Sequence, residues 1–175
     1  CGGTGMRLKE ETEFKPKPMV EIGGRPILWH IMKIYEHHGF RDFVLALGYK
    51  GDYVKDYFLK QKYYDSDLEI HTGGEKDIRF LSNGKEQEDF HIICADTGLE
   101  TPHGERVLML KQYIESDLFM VTYGDGVADI DITKLIAFHR IANTQSAAAL
   151  VPPSDSRYGF CHSFLHFQGW WGNWS

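Results

Sequence analysis

The 175-residue sequence is poor in the features that mark several large classes of protein. Cysteine occurs only at Cys1, Cys94 and Cys161, with no C-x-x-C pair. That spacing offers neither a zinc site nor a redox centre, and the three read as reduced thiols. No apolar run approaches the roughly 18 residues of a membrane span, and no charged segment leads into an apolar one at the start. No membrane partner is therefore expected, and the cytoplasm is the expected location. Basic charge is also short: 19 Lys and Arg stand against 25 Asp and Glu, a net charge of -6. Proteins that neutralise nucleic-acid phosphates carry the opposite excess, so nucleic acid is not an expected partner. Nine histidines are present, but no H-x-E or H-E-x-x-H arrangement accompanies them, and none is assigned a catalytic role.

What the chain does have is 42% hydrophobic residues, enough for one compact core at this length. Ile27, Ile31, Ile34 and Tyr35 fall at helical spacing between Pro26 and Gly39, residues suited to the start and the end of a helix. Phe43 to Leu47 reads as a buried strand. Gly48-Tyr49-Lys50-Gly51 then breaks the chain before a helix that Asp52 is placed to cap. The polar stretch from Leu68 to Asp89 fits short edge strands or hairpins. Phe90 to Cys94, Leu118 to Thr122 and Ala147 to Val151 read as further strands. Helices are expected from about Glu105 to Tyr113 and after a cap at Asp129 or Asp131.

Strands and helices alternating at these lengths predict an α/β protein, a three-layer Rossmann-like fold with a mostly parallel central sheet. Cys1-Gly2-Gly3 looks like the turn after a strand, so the domain spanning 1–160 is expected to be cut short at both ends. Residues 161–175 hold three tryptophans without helical or strand period, and they read equally as a foreign end or as a native aromatic hairpin.

Ligands of such sheets bind beyond the carboxyl ends of the strands, where the glycine-rich polar segments collect. Gly2-Gly3-Thr4-Gly5-Met6-Arg7 has backbone N–H groups that can approach a triphosphate, followed by an arginine able to grip phosphate oxygens in a fork. In Lys15-Pro16-Lys17-Pro18-Met19 the prolines restrict the backbone and so fix the directions of the lysines. Asp125, between Gly124 and Gly126 after a strand, can offer a carboxylate to a hard cation, for which magnesium is the natural candidate. Each has a purely structural alternative: a plain turn, a solvated basic surface and a turn cap. Their combination points to chemistry on phosphates.

Together with Glu21-Ile22-Gly23-Gly24-Arg25-Pro26-Ile27-Leu28-Trp29-His30, Gly48-Tyr49-Lys50-Gly51 and Tyr123-Gly124-Asp125-Gly126-Val127, these segments resemble the sugar-phosphate nucleotidylyltransferases. The likeness runs from Gly2 to about Gly159 and is nearest to the branch that makes CDP-glucose. It implies CTP and glucose 1-phosphate as substrates, Mg2+ as cofactor, a homo-oligomer for full-length relatives, and a place in O-antigen and lipopolysaccharide biosynthesis. It also implies that Arg7 holds the triphosphate, that Lys17 steadies the reacting phosphates and that Asp125 binds the metal. Gly2, Gly3, Thr4, Gly5, Met6, Thr101, Gly104, Arg106 and Gly124 are then expected to contact substrate. Met6 replaces the usual threonine, and a second metal-binding aspartate expected after Gly159 is not found in this sequence, so the chain as it stands is expected to be impaired in turnover. Other readings are a uridylyl-, thymidylyl- or guanylyltransferase and a non-catalytic nucleotide-sugar binder. A dinucleotide oxidoreductase fits less well, because a Lys-Pro-Lys-Pro segment follows the glycines in place of a helix.

Overall fold

The computed structural model describes residues 15–73, 77–81, 88–116, 118–142, 146–151 and 160–166. Strands β1 (Glu21–Ile22) and β2 (Arg25–Pro26) form a minimal hairpin, and helix α1 (Ile27–His37) follows at once. Pro26 has no amide hydrogen to lose at that junction, and the Ile27 amide donates back to the Val20 carbonyl at 2.8 Å. The buried side chains of α1 are Leu28, Ile31, Met32 and Tyr35, a stripe at i, i+3, i+4 and i+7. At its far end Gly39 donates to Glu36 and Phe40 donates to Tyr35, the paired bonds of a Schellman stop.

Strand β3 (Asp42–Leu47) leads into helix α2 (Gly51–Asp65). Lys50 precedes the helix in the left-handed region, and Asp52 lies in the first turn rather than at the expected cap. A Cβ on Gly51 would come within 2.9 Å of the Leu47 Cβ, so glycine is what lets the helix start this close to the strand. Strands β4 (Asp67–His71) and β5 (Asp77–Leu81) make an antiparallel hairpin. Strand β6 (His91–Asp96) then pairs in parallel with β3, from Asp42 opposite His91 to Leu47 opposite Asp96.

Helix α3 (His103–Met109), a 3-10 turn at Leu110–Tyr113, strand β7 (Leu118–Thr122) and helix α4 (Ile132–Ala142) complete the front of the fold. The Asp131 carboxylate accepts from the Lys134 amide at 3.0 Å, which selects Asp131 over Asp129 as the cap of α4. Strands β8 (Ser146–Val151) and β7 both pair antiparallel with β9 (Phe160–His166), which lies between them. The α/β class and the parallel β3–β6 pair match the sequence reading. The antiparallel insertion of β9 does not follow from it, because Phe160-Cys161-His162-Ser163-Phe164-Leu165-His166 lacks clean alternation. Strand β9 runs across the boundary expected at 160, while residues 1–14 and 167–175 lie outside the described residues.

Helix α1 joins two apolar clusters. One side packs Leu28 and Met32 with Met19, Leu45, Leu47 and Val54, and the other packs Ile31 and Tyr35 with Ile132 of α4. Among the described residues no helix is long and apolar enough to cross a membrane.

Tyr35 is 4% exposed, and its phenol shares a hydrogen bond with the Thr122 side chain. Burial pushes the phenol from an ordinary value of 10 up to about 12, with the Thr122 bond opposing the shift. Because the folded state holds this proton more tightly, the stability it confers is complete below pH 10 and is lost as pH rises through about 12. Urea unfolding of wild type and Tyr35→Phe should therefore show wild type losing about 2 to 3 kcal/mol more than the variant between those limits. Parallel pH profiles would show that the Tyr35 phenol is not held this way.

Candidate active site

The Lys-Pro-Lys-Pro segment points alternate residues in opposite directions. Pro16, Pro18 and Met19 are buried, and the Met19 amide closes a turn onto the Pro16 carbonyl at 2.8 Å. A 3-10 turn at Lys17–Met19 thus replaces the extended run that the prolines suggest. Lys15 turns outward to Glu21 at 2.6 Å. Lys17 turns the other way.

Its ammonium lies 3.6 Å from the Asp125 carboxylate, across 108 residues of sequence, with the side chains 25% and 40% exposed. Asp125 stands on the turn after β7, between buried Gly124 and Gly126. The Tyr35 bond to Thr122 anchors the strand end three residues earlier, so α1 and β7 together set the height of this carboxylate. The two residues singled out from separate motifs meet at one place.

Beside them the ends of β3 and β6 are tied together. The Leu47 carbonyl accepts from the Thr97 amide at 2.8 Å and the Thr97 hydroxyl at 2.7 Å, and Arg106 Nη1 approaches it at 3.4 Å. Arg106 also donates to the Thr97 hydroxyl at 2.6 Å, the Leu99 carbonyl at 2.9 Å and, through Nε, the Thr101 carbonyl at 2.9 Å. Gly98 adopts φ +81° while its amide donates to the Asp96 carboxylate, and a side chain there would crowd the Thr101 hydroxyl. At the start of α3 the His103 ring meets Tyr123 edge-on at 5.9 Å. This contact carries the knotted loop to within two residues of Asp125.

Of the expected site residues, Lys17 and Asp125 meet, Gly124 is buried beside Asp125, Thr101 lies in the loop after β6, and Gly104 is exposed in the first turn of α3. Arg106, which the resemblance sets beside the nucleotide, is 7% exposed and donates to backbone carbonyls of the loop and to the Thr97 hydroxyl. Strand-end carbonyls shielded from water need donors, and a buried guanidinium supplies several in one plane. Gly2, Gly3, Thr4, Gly5, Met6 and Arg7 lie outside the described residues. Sequence reasoning passed over Thr97, His103 and Tyr123 as individuals, although Asp96-Thr97-Gly98 and Tyr123-Gly124-Asp125-Gly126 mark their loops. Cys94 is a half-buried thiol whose pKa is raised by that burial, which leaves it unsuited to act as a nucleophile.

Among the described residues no three His, Cys, Asp or Glu side chains gather as a metal cage. A lone, partly exposed carboxylate such as Asp125 still suits a hard cation that takes most of its other ligands from water and phosphate oxygens.

In this α/β frame a lysine and an aspartate from distant segments approach each other at the turn after β7. The family model for nucleotidyl transferases matches residues 1–162, and the chain belongs to that family. It is 43% identical over 171 residues to the glucose-1-phosphate cytidylyltransferase of Salmonella typhimurium, covering 94% of this chain and 65% of that protein. The enzyme of the same name from Salmonella typhi is 44% identical over 161 residues, covering 91% and 61%. The D-glycero-alpha-D-manno-heptose 1-phosphate guanylyltransferase of Campylobacter jejuni is 34% identical over 151 residues, covering 78% and 63%. The chain thus spans less than two thirds of the length of each.

If Arg106 braces the loop, Arg106→Lys should lower stability by about 1.5 to 3 kcal/mol, because a point-charge ammonium cannot reach the same acceptors as the planar fork. Hydrogen exchange should accelerate first at the amides of residues 97–101. Unchanged exchange there in the variant would remove Arg106 from this role.

Proposed function

We propose that the chain supplies the nucleotide-binding half of a glucose-1-phosphate cytidylyltransferase, taking CTP and glucose 1-phosphate to CDP-glucose and pyrophosphate. The single observation that carries this reading is the approach of Lys17 to Asp125, in a family member whose Salmonella relatives at 43% and 44% identity bear that activity in their names. A binding module has no need of a rigidly mounted lysine facing an aspartate beyond the strand ends.

In the proposed reaction a phosphate oxygen of glucose 1-phosphate attacks the α-phosphorus of CTP. A new P–O bond forms as the bond to the bridging oxygen breaks, and pyrophosphate leaves with that electron pair. Negative charge grows on the leaving group, and Lys17, mounted on its buried proline turn, would offset it. Arg7 and the backbone of Gly2 to Met6 would grip the triphosphate, with Thr101, Gly104 and Gly124 along the nucleotide. Asp125 would hold Mg2+, which would supply positive charge to neutralise part of the charge on the phosphates. Arg106 contributes indirectly by fixing the loop of residues 97–101. The reaction would run in the cytoplasm and feed the sugars of surface polysaccharide, as the family likeness implies.

The Campylobacter relative is named for guanylyl transfer, so the base is open to a direct test. Pyrophosphate release should be followed with CTP, UTP, dTTP and GTP across a magnesium titration. The assay should use this chain and a chimera that adds the part of the Salmonella typhimurium relative beyond the matched region. CTP should be preferred. Lys17→Met should lower kcat by about 100- to 1,000-fold while CTP affinity changes far less, and Asp125→Asn should raise the magnesium requirement. An unchanged kcat in Lys17→Met would sink the catalytic assignment, and preference for another nucleotide would sink the cytidylyl assignment.

A further inference from the structure

We infer that Lys17 and the divalent cation compete for the Asp125 carboxylate, so that Lys17 acts as a charge placeholder in the nucleotide-free protein and passes to phosphate oxygens when nucleotide and cation arrive together. This rests on the reading of Asp125 as a metal ligand given above.

The geometry points this way for three reasons. The ammonium stands 3.6 Å from the carboxylate oxygen Oδ2, so a cation on that oxygen would be forced against a like charge. The backbone of Lys17 cannot withdraw, since Pro16, Pro18 and Met19 are buried and the turn is closed by the Met19 and Val20 amides. Only the side-chain stem can swing. Finally, Lys15 is not an equivalent substitute, because its ammonium is held by Glu21 on the other side of the segment.

The pair is also weak enough to be exchanged. Both side chains keep contact with water, and ion pairs of this exposure shift an equilibrium by a factor of about 1.5 to 5. Such a contact keeps the carboxylate neutralised between turnovers and yields once a triphosphate offers Lys17 stronger, doubly charged acceptors. It also sets an order: cation alone is discouraged, and cation carried on nucleotide is admitted. The lysine that assists the leaving group is then delivered to the phosphates by the same event that brings the metal.

The test is direct binding of Mn2+, read from water proton relaxation, on this chain with and without saturating CTP. Without nucleotide, Lys17→Met and Lys17→Gln should bind Mn2+ about two- to fivefold more tightly than wild type, whereas Lys17→Arg, which keeps the charge, should stay near wild type. With CTP the advantage of the neutral variants should vanish or reverse. Neutral variants that bind Mn2+ no more tightly than wild type without nucleotide would overturn the competition. Asp125→Asn separates the two readings: it should abolish the tightening in a Lys17→Met background. If it leaves Mn2+ affinity unchanged in both backgrounds, the assignment of Asp125 as a metal ligand fails instead.

Discussion

The buried carbonyl oxygen of Leu47 is the point on which the rest of the site depends. It closes β3 at the edge of a parallel pair, where the ladder ends and a shielded acceptor would otherwise lack donors. Thr97 answers with its amide and its hydroxyl, and Arg106 ties Thr97 to the loop that follows. A structural necessity at a strand end thus becomes a rigid wall, and through His103 and Tyr123 that wall meets the turn carrying Asp125. On the other side the same core that buries Leu47 also buries Met19, which holds the Lys17 turn in place. Two charged side chains from distant segments are positioned by neighbours that are themselves apolar or hydrogen-bonded to the backbone.

This division explains why a contact of 3.6 Å between partly exposed charges can matter to function while contributing little to stability. The fold is secured elsewhere, by α1 and its two clusters. Lys17 and Asp125 can therefore change partners without unfolding cost, as the proposed function requires. A deeply buried pair would be locked, because separating it would strand charges away from water.

Much of this was legible in the sequence where local chemistry is decisive. The limits of α1 follow from its apolar period, Pro26 and Gly39, and the stiffness of the lysine segment follows from its prolines. Asp125 stood out because glycines flank it after an apolar strand. Pairing was not legible: nothing in Phe160 to His166 announces a strand entering antiparallel between β7 and β8, since partners distant in sequence decide its place. The role of Arg106 was hidden for a similar reason. An arginine near a nucleotide loop invites a phosphate reading, and only the fold reveals four backbone and side-chain acceptors around it.

The most direct measurement of the central claim is a crystal structure of this chain grown with CTP and a divalent cation. The phosphates should lie between Lys17 and Asp125, with the ammonium turned from the carboxylate to a phosphate oxygen and the knot of Leu47, Thr97 and Arg106 unchanged. A triphosphate bound away from that gap, or a Lys17 still paired with Asp125 beside a bound nucleotide and cation, would contradict it.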